Sequence, residues 1–144
     1  MDAREIEAML LRDRQEWDAL VAVLEAHPEE SLHGPGSPSW TSRDVYTHLA
    51  RWMELSTAQL EARLAGTPVP IAEGTDDEIN ARWQREDSGL SLAEARARAQ
   101  SEYQRRFEAI ESVPDDRWDE TLDGIAHADG AAHYAAHRSF IVGA

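Results

Sequence analysis

At 144 residues and 42% hydrophobic content, the chain has room for one domain around one core, residues 1–144 taken together. It contains no cysteine, which excludes disulfides, thiolate metal sites and a catalytic thiol, and which fits a reducing compartment. Its net charge is −14, from 28 acidic and 14 basic residues that are all arginine; such a field repels phosphate backbones and anionic bilayers, so neither nucleic acid nor membrane is expected as a partner.

The opening Met1-Asp2-Ala3-Arg4-Glu5 has no basic segment leading into an apolar run, and no window approaches the ~18 apolar residues of a membrane span. A soluble, cytoplasmic protein is expected. From Ala3 to about Ala26, Ile6, Leu10, Trp17, Leu20, Val21 and Leu24 recur at three- and four-residue steps, which predicts an amphipathic helix ended by Pro28. His27, at that end, reads as a solvated residue that complements the helix dipole.

His33-Gly34-Pro35-Gly36-Ser37-Pro38-Ser39 reads as a loop. Trp40-Thr41-Ser42-Arg43-Asp44 then forms a strong helix start, with Thr41 as N-cap, Asp44 as its capping-box partner and Trp40 stapled to Val45. The second helix runs to about Ala65 and places Val45, His48, Leu49, Trp52, Leu60 and Leu64 on one stripe. Gly66-Thr67-Pro68-Val69-Pro70 opens an irregular crossover to Gly74, and Thr75 to Glu78 can cap a short helix carrying Ile79, Asn80 and Trp83. Ser91-Leu92-Ala93-Glu94 opens a third long helix to about Glu111, with Leu92, Ala95, Ala99, Tyr103, Phe107 and Ile110 inward. Pro114 to Trp118 is a turn. Gly124 and Gly130 read as breakers before the last helix, and His127 as a loop histidine near it. No strand pattern emerges. The expected fold is all-α, an antiparallel four-helix bundle with a long crossover between the second and third main helices.

The candidate site lies at the end of the chain, in Gly130-Ala131-Ala132-His133-Tyr134-Ala135-Ala136-His137. On a helix, His133 and His137 share a face, which Phe140 and Ile141 continue. Buried imidazoles need partners, and a divalent metal satisfies both if a third ligand arrives. His48, inward on the second helix, is the best candidate. Three neutral imidazoles with open positions match a catalytic site in zinc, and nickel or iron also accept them. The competing reading is three satisfied core histidines. The pair lacks the glutamate of a zinc-protease helix, and no nucleophilic-serine elbow or phosphate loop is present.

Trp40-Thr41-Ser42-Arg43-Asp44-Val45-Tyr46-Thr47-His48-Leu49-Ala50 resembles the second-helix signature of the DinB-like superfamily, and His133-x-x-x-His137 resembles its terminal-helix signature. The likeness is nearest to the branch holding the amino-terminal domain of mycothiol-dependent maleylpyruvate isomerases and the ClbS/DfsB proteins. It implies a divalent metal held by His48, His133 and His137. It further implies a metal- and thiol-dependent transferase or isomerase in which a thiol such as mycothiol or bacillithiol is joined to a small electrophile, in detoxification. Alternatives are a metal-independent small-molecule binding or resistance protein, as in some ClbS/DfsB relatives, and a metal-assisted hydrolase. Trp52 would line the pocket; Arg51, Asn80, Arg82 and Tyr134 could meet the polar groups of a thiol cofactor. Trp17, Trp83 and Trp118 read as core or interface residues and the acidic runs as solvated faces; homodimers are common among relatives.

Overall fold

A computed structural model of the chain describes the backbone of residues 1–28, 32–34 and 37–142, and their side chains except at 32–34, 37–39 and 140–142. Helix α1 spans Ala3–Ala26, α2 Ser42–Ala65, α3 Asp76–Glu86, α4 Leu92–Glu111, α5 Glu120–Ala128 and α6 Ala131–Val142. The starts follow local chemistry. Asp2 accepts from the Glu5 amide at 2.8 Å, and Thr41 donates its amide and hydroxyl to Asp44 Oδ2 at 3.0 and 3.3 Å. Thr75 pairs with Glu78, and Ser91 with Glu94, in capping boxes. Helix α2 stops at Gly66, whose φ of 71° suits a residue without a side chain.

Helix α2 lies along α4, and α1 lies along α6, with α5 against α2. The result is the expected helical bundle. The irregular segment 66–75 and the short α3 form the crossover between α2 and α4. Apolar burial concentrates at two levels. Around Trp17, Tyr103 stacks at 4.8 Å and Tyr134 meets the indole edge-on at 5.2 Å, contacts worth roughly 0.5–1.5 kcal/mol each beyond their burial. Leu20, Leu24, Val45, Tyr46, Leu49 and Met53 complete that level. Met9, Leu10, Leu60, Ile110, Val113 and Leu122 form the other.

Four expectations are corrected. The segment read as a loop contains a small antiparallel hairpin, β1 (Leu32–Gly34) with β2 (Ser37–Trp40), pairing Leu32 with Trp40. A run of Ser, Pro and Gly carries no alternation to announce it. Gly124 lies inside α5 and not at a break, because Asp119 caps that helix and its apolar side packs on α2. His127 is accordingly helical, exposed, with Nδ1 2.7 Å from the Asp123 carbonyl. Not every member of an acidic run is solvated: Asp87, beside Glu86, is buried and paired with Arg51 and Arg98; elsewhere Asp13 and Arg106, each about 2% exposed, pair inside the bundle. The expected inward face at Phe140 and Ile141 lies outside the described side chains. Trp17 and Trp40 are buried, Trp83 and Trp118 half-buried. Among the described residues, no helix is long and apolar enough to cross a membrane.

Candidate metal centre

His48 is held two turns into α2 by the geometry of its start. Ser42 Oγ lies 2.9 Å from both the Leu24 and the His27 carbonyl oxygens, its one proton shared between them, which ties the end of α1 to the beginning of α2. Trp40, 2% exposed, packs on the imidazole of His48 with ring centroids 4.9 Å apart. From the other side, α6 brings His133 and His137.

The elbow between α5 and α6 fixes that second helix. Asp13 of α1 accepts the Ala131 amide at 2.8 Å, satisfying one of the unpaired donors at the start of α6. Its other oxygen accepts from Arg106 Nη1 at 2.9 Å, while Arg106 Nη2 donates to the Ala126 carbonyl. Tyr134, fully buried, donates its hydroxyl to Met53 Sδ at 3.2 Å and anchors the inner face of α6.

The three imidazoles converge. His133 Nε2 lies 3.3 Å from His48 Nε2 and 3.1 Å from His137 Nε2. One ligand atom from each falls within 4.8 Å of the others. His48 is 6% and His137 1% exposed. Burial pushes the His48 imidazole well below its usual range, and the neighbouring imidazoles add to the shift. Burial, with His133 beside it, lowers His137 to about 3. Both rings are therefore neutral at physiological pH, the form that binds metals. Asp129 Oδ1 lies 3.4 Å from His133 Nδ1, which favours a proton on that nitrogen and leaves the Nε2 lone pair facing inward.

A single lone pair on His133 cannot accept full hydrogen bonds from two neighbours along one axis. Three inward lone pairs, on the other hand, repel one another unless a cation lies among them. A proton on His48 or His137 is a poor candidate, because burial disfavours the imidazolium form of both. Nitrogens bound at about 2.0–2.1 Å to a tetrahedral zinc lie about 3.3–3.4 Å apart, close to the 3.1 and 3.3 Å separations found here. The donor set fits a divalent metal.

His48 and His133 form the floor of an open cleft of about 670 Å³, walled by Trp52, Leu55, Asn80 and Asp129 among others. Trp52 Nε1 donates to Asn80 Oδ1 at 2.8 Å, tying α2 to α3 across it. Open positions on a metal at the floor would face this space.

Of the other sequence-proposed residues, Trp52 and Asn80 line the cleft, whereas Arg51, Arg82 and Tyr134 do not. Arg51 is committed to Asp87 by two hydrogen bonds of 2.9 and 2.8 Å. Burial alone would raise the Asp87 carboxyl; Arg51 and Arg98 more than offset this and hold it below the usual range. Arg82 donates to the Glu73 carbonyl at 3.2 Å. His127 faces a separate depression with Met9, Arg12 and Glu16. Sequence reasoning missed Asp129, Asp13 and the Trp40–His48 ring contact. Only Asp129 left a signal, an acid four residues before the first histidine of the pair.

A helical bundle with three histidines gathered from its second and last helices defines a protein of the DinB-like fold class. Residues 13–140 match the model of the mycothiol maleylpyruvate isomerase N-terminal domain family, and the chain belongs to that family. The fold is similar to the crystal structure of an uncharacterised protein from Escherichia coli UTI89, with a TM-score of 0.77 at 18% identity, covering 93% of this chain and 88% of that one. No curated protein matches the sequence.

Proposed function

We propose that the protein is a metal-dependent enzyme that joins a low-molecular-weight thiol to a small electrophile, as a transferase or isomerase of the cytoplasm. The observation that carries this reading is the convergence of three imidazoles, two of them, His48 and His133, at the floor of an open cleft. The family's name, which couples mycothiol with an isomerase domain, supports the thiol.

A divalent metal bound there would act as a Lewis acid, lowering the pKa of a thiol and holding its sulfur as thiolate. The chain's residues do the rest. His48 on α2 and His133 and His137 on α6 present the three imidazoles. Trp40 packs against the His48 ring, and the Asp129 carboxylate, 3.4 Å from His133 Nδ1, favours a proton on that nitrogen. Trp52 and Leu55 supply an apolar wall that partly excludes water and strengthens electrostatic interactions inside. The thiol proton leaves to solvent through the open side, and no protein base is required.

Elemental analysis of untagged protein, with melting curves before and after chelation, tests the centre. Near one divalent metal per chain and a lower Tm after chelation are expected, and His48→Ala or His137→Ala should each abolish tight binding in a protein that stays helical. Metal-loaded protein should then consume an electrophile only when a thiol is supplied. Full metal retention by either variant would overturn the ligand assignment. Turnover without thiol would instead favour a hydrolase, and a protein that takes up no zinc, nickel or manganese would favour metal-independent binding.

A further inference from the structure

Helix α1 turns toward solvent a stripe of five residues, Arg4, Glu7, Leu11, Arg14 and Asp18, which recur at steps of three and four and are all exposed. In a chain with twice as many acids as arginines, this stripe is neutral, with two of each. None of its four charged side chains forms an ion pair within the chain among the described residues. Arg14 lies instead over the Phe107 ring, its guanidinium carbon 4.9 Å from the ring centre. Leu11, in the middle, is 57% exposed, and among the described residues no other large apolar side chain on a helix is as open to water.

Between α1 and α4 runs a groove of about 440 Å³, whose lining joins Leu10, Phe107 and Ile110 to Glu7, Leu11 and Arg14 of the stripe. Glu111 and Asp115 line it as well, so a segment that covers it must bring cations along with apolar atoms. The stripe itself answers that description. Read from the N-terminus its pattern is base, acid, leucine, base, acid; read backwards it is acid, base, leucine, acid, base. Each position of one reading opposes the complementary charge of the other.

We propose that this face of α1, with the groove beside it, is an isologous interface between two copies of the chain, packed antiparallel about a two-fold axis at Leu11. There Leu11 meets Leu11 of the second copy, Glu7 meets Arg14, and Arg4 meets Asp18, each pair occurring twice by symmetry. Glu7 lies four residues from the axis and Arg14 three, a mismatch of about 1.5 Å in rise, within the reach of an arginine side chain. A parallel arrangement would set like charges together. The net charge of −14 on each copy opposes association through any face, and a neutral stripe is where that opposition is least. Apolar contact supplies the attraction, and the charges fix the register. None of these residues lines the cleft above the imidazoles, so the interface stands or falls independently of the metal and of the reaction.

Sedimentation equilibrium of the untagged full chain, over concentrations up to millimolar at about 0.15 M salt, tests the proposal. A reversible monomer–dimer equilibrium is expected. Leu11→Gln should weaken it about tenfold or more, because symmetry counts each substitution twice. Glu7→Arg and Arg14→Glu, made separately, each set like charges across the axis and should each suppress self-association. An equimolar mixture of those two variants restores opposite charges at both crossings, and it should dimerise about as well as the native chain. Circular dichroism and melting curves report that every variant is folded. A native chain that stays monomeric throughout overturns the proposal. So does a dimer that Leu11→Gln leaves unchanged, or a mixture of the two charge variants that associates no better than either alone.

Discussion

Asp13 accepts a hydrogen bond from Arg106 at 2.9 Å, across 93 positions of sequence, and both residues are about 2% exposed. The pair does more than neutralise itself. Through the Ala131 amide and the Ala126 carbonyl it holds both sides of the elbow from which the histidine helix departs. Breaking a buried pair of this kind by removing one partner strands the other charge, at a cost of about 3–5 kcal/mol. The positions of His133 and His137 therefore depend on two residues that touch neither of them.

Gly130 sits within this elbow with no space around it. A Cβ there would lie 2.7 Å from Asp13 Oδ1 and 2.8 Å from Arg106 Nη2, side chains locked by their own pairing. Gly130→Ala should destabilise the protein by about 1–3 kcal/mol, the usual range for overpacking, and should weaken metal binding by shifting α6. Gly124, exposed within α5, provides the contrast, because a methyl group added there would meet nothing within 4 Å. Gly124→Ala should stabilise by about 0.5–1 kcal/mol. Urea denaturation of both variants checks the pair; equal effects would mean that the elbow yields easily.

Asp129 orients His133 from 3.4 Å. Asp129→Asn keeps the shape but removes the charge that favours the Nδ1 proton. Metal affinity should drop about 10–100-fold, the effect typical of losing such a partner, as measured by competition with a chromogenic chelator. An unchanged affinity would reduce Asp129 to a structural part of the elbow.

Acid should destabilise the metal-free protein before carboxylates titrate. An unfolded histidine takes up a proton near pH 6.5, but His137 in the bundle resists down to about pH 3, and His48 also stays neutral well below its ordinary value. Over that window the unfolded chain binds more protons than the folded one, so stability is full above about pH 6.5 and declines as pH falls toward 3. The slope approaches about 1.4 kcal/mol per pH unit for each such histidine. Urea midpoints between about pH 7 and pH 5 measure it, and His137→Gln should flatten the dependence. A native slope no steeper than that of the variant would show that His137 ionises freely when folded.

Much of this was legible because it is local. The capping boxes at Thr75 and Ser91 are spaced by the helix itself and appear where their residues predict. His48, His133 and His137 could be singled out because apolar periodicity indicates which way a helical side chain faces. Asp13 and Arg106 could not, since a charge on an amphipathic helix looks solvated until its partner arrives from a distant helix. Gly124 was misleading for a related reason: propensity disfavours glycine in a helix by only about 1 kcal/mol, less than the packing of α5 on α2 returns. The arginines illustrate the same limit. Sequence marks Arg51 and Arg82 as cations near the site, but only the tertiary arrangement reveals that Asp87 and the Glu73 carbonyl already hold them.

The split of the ligand set between α2 and α6 also orders events in time. A ribosome delivers His48 early and His133 and His137 much later, so a growing chain offers one isolated imidazole through most of its synthesis. One imidazole does not retain a cation against cellular competitors. A metal held by all three would be captured only after α6 docks along α1 and the Asp13 elbow closes, so its uptake would report that those steps had succeeded.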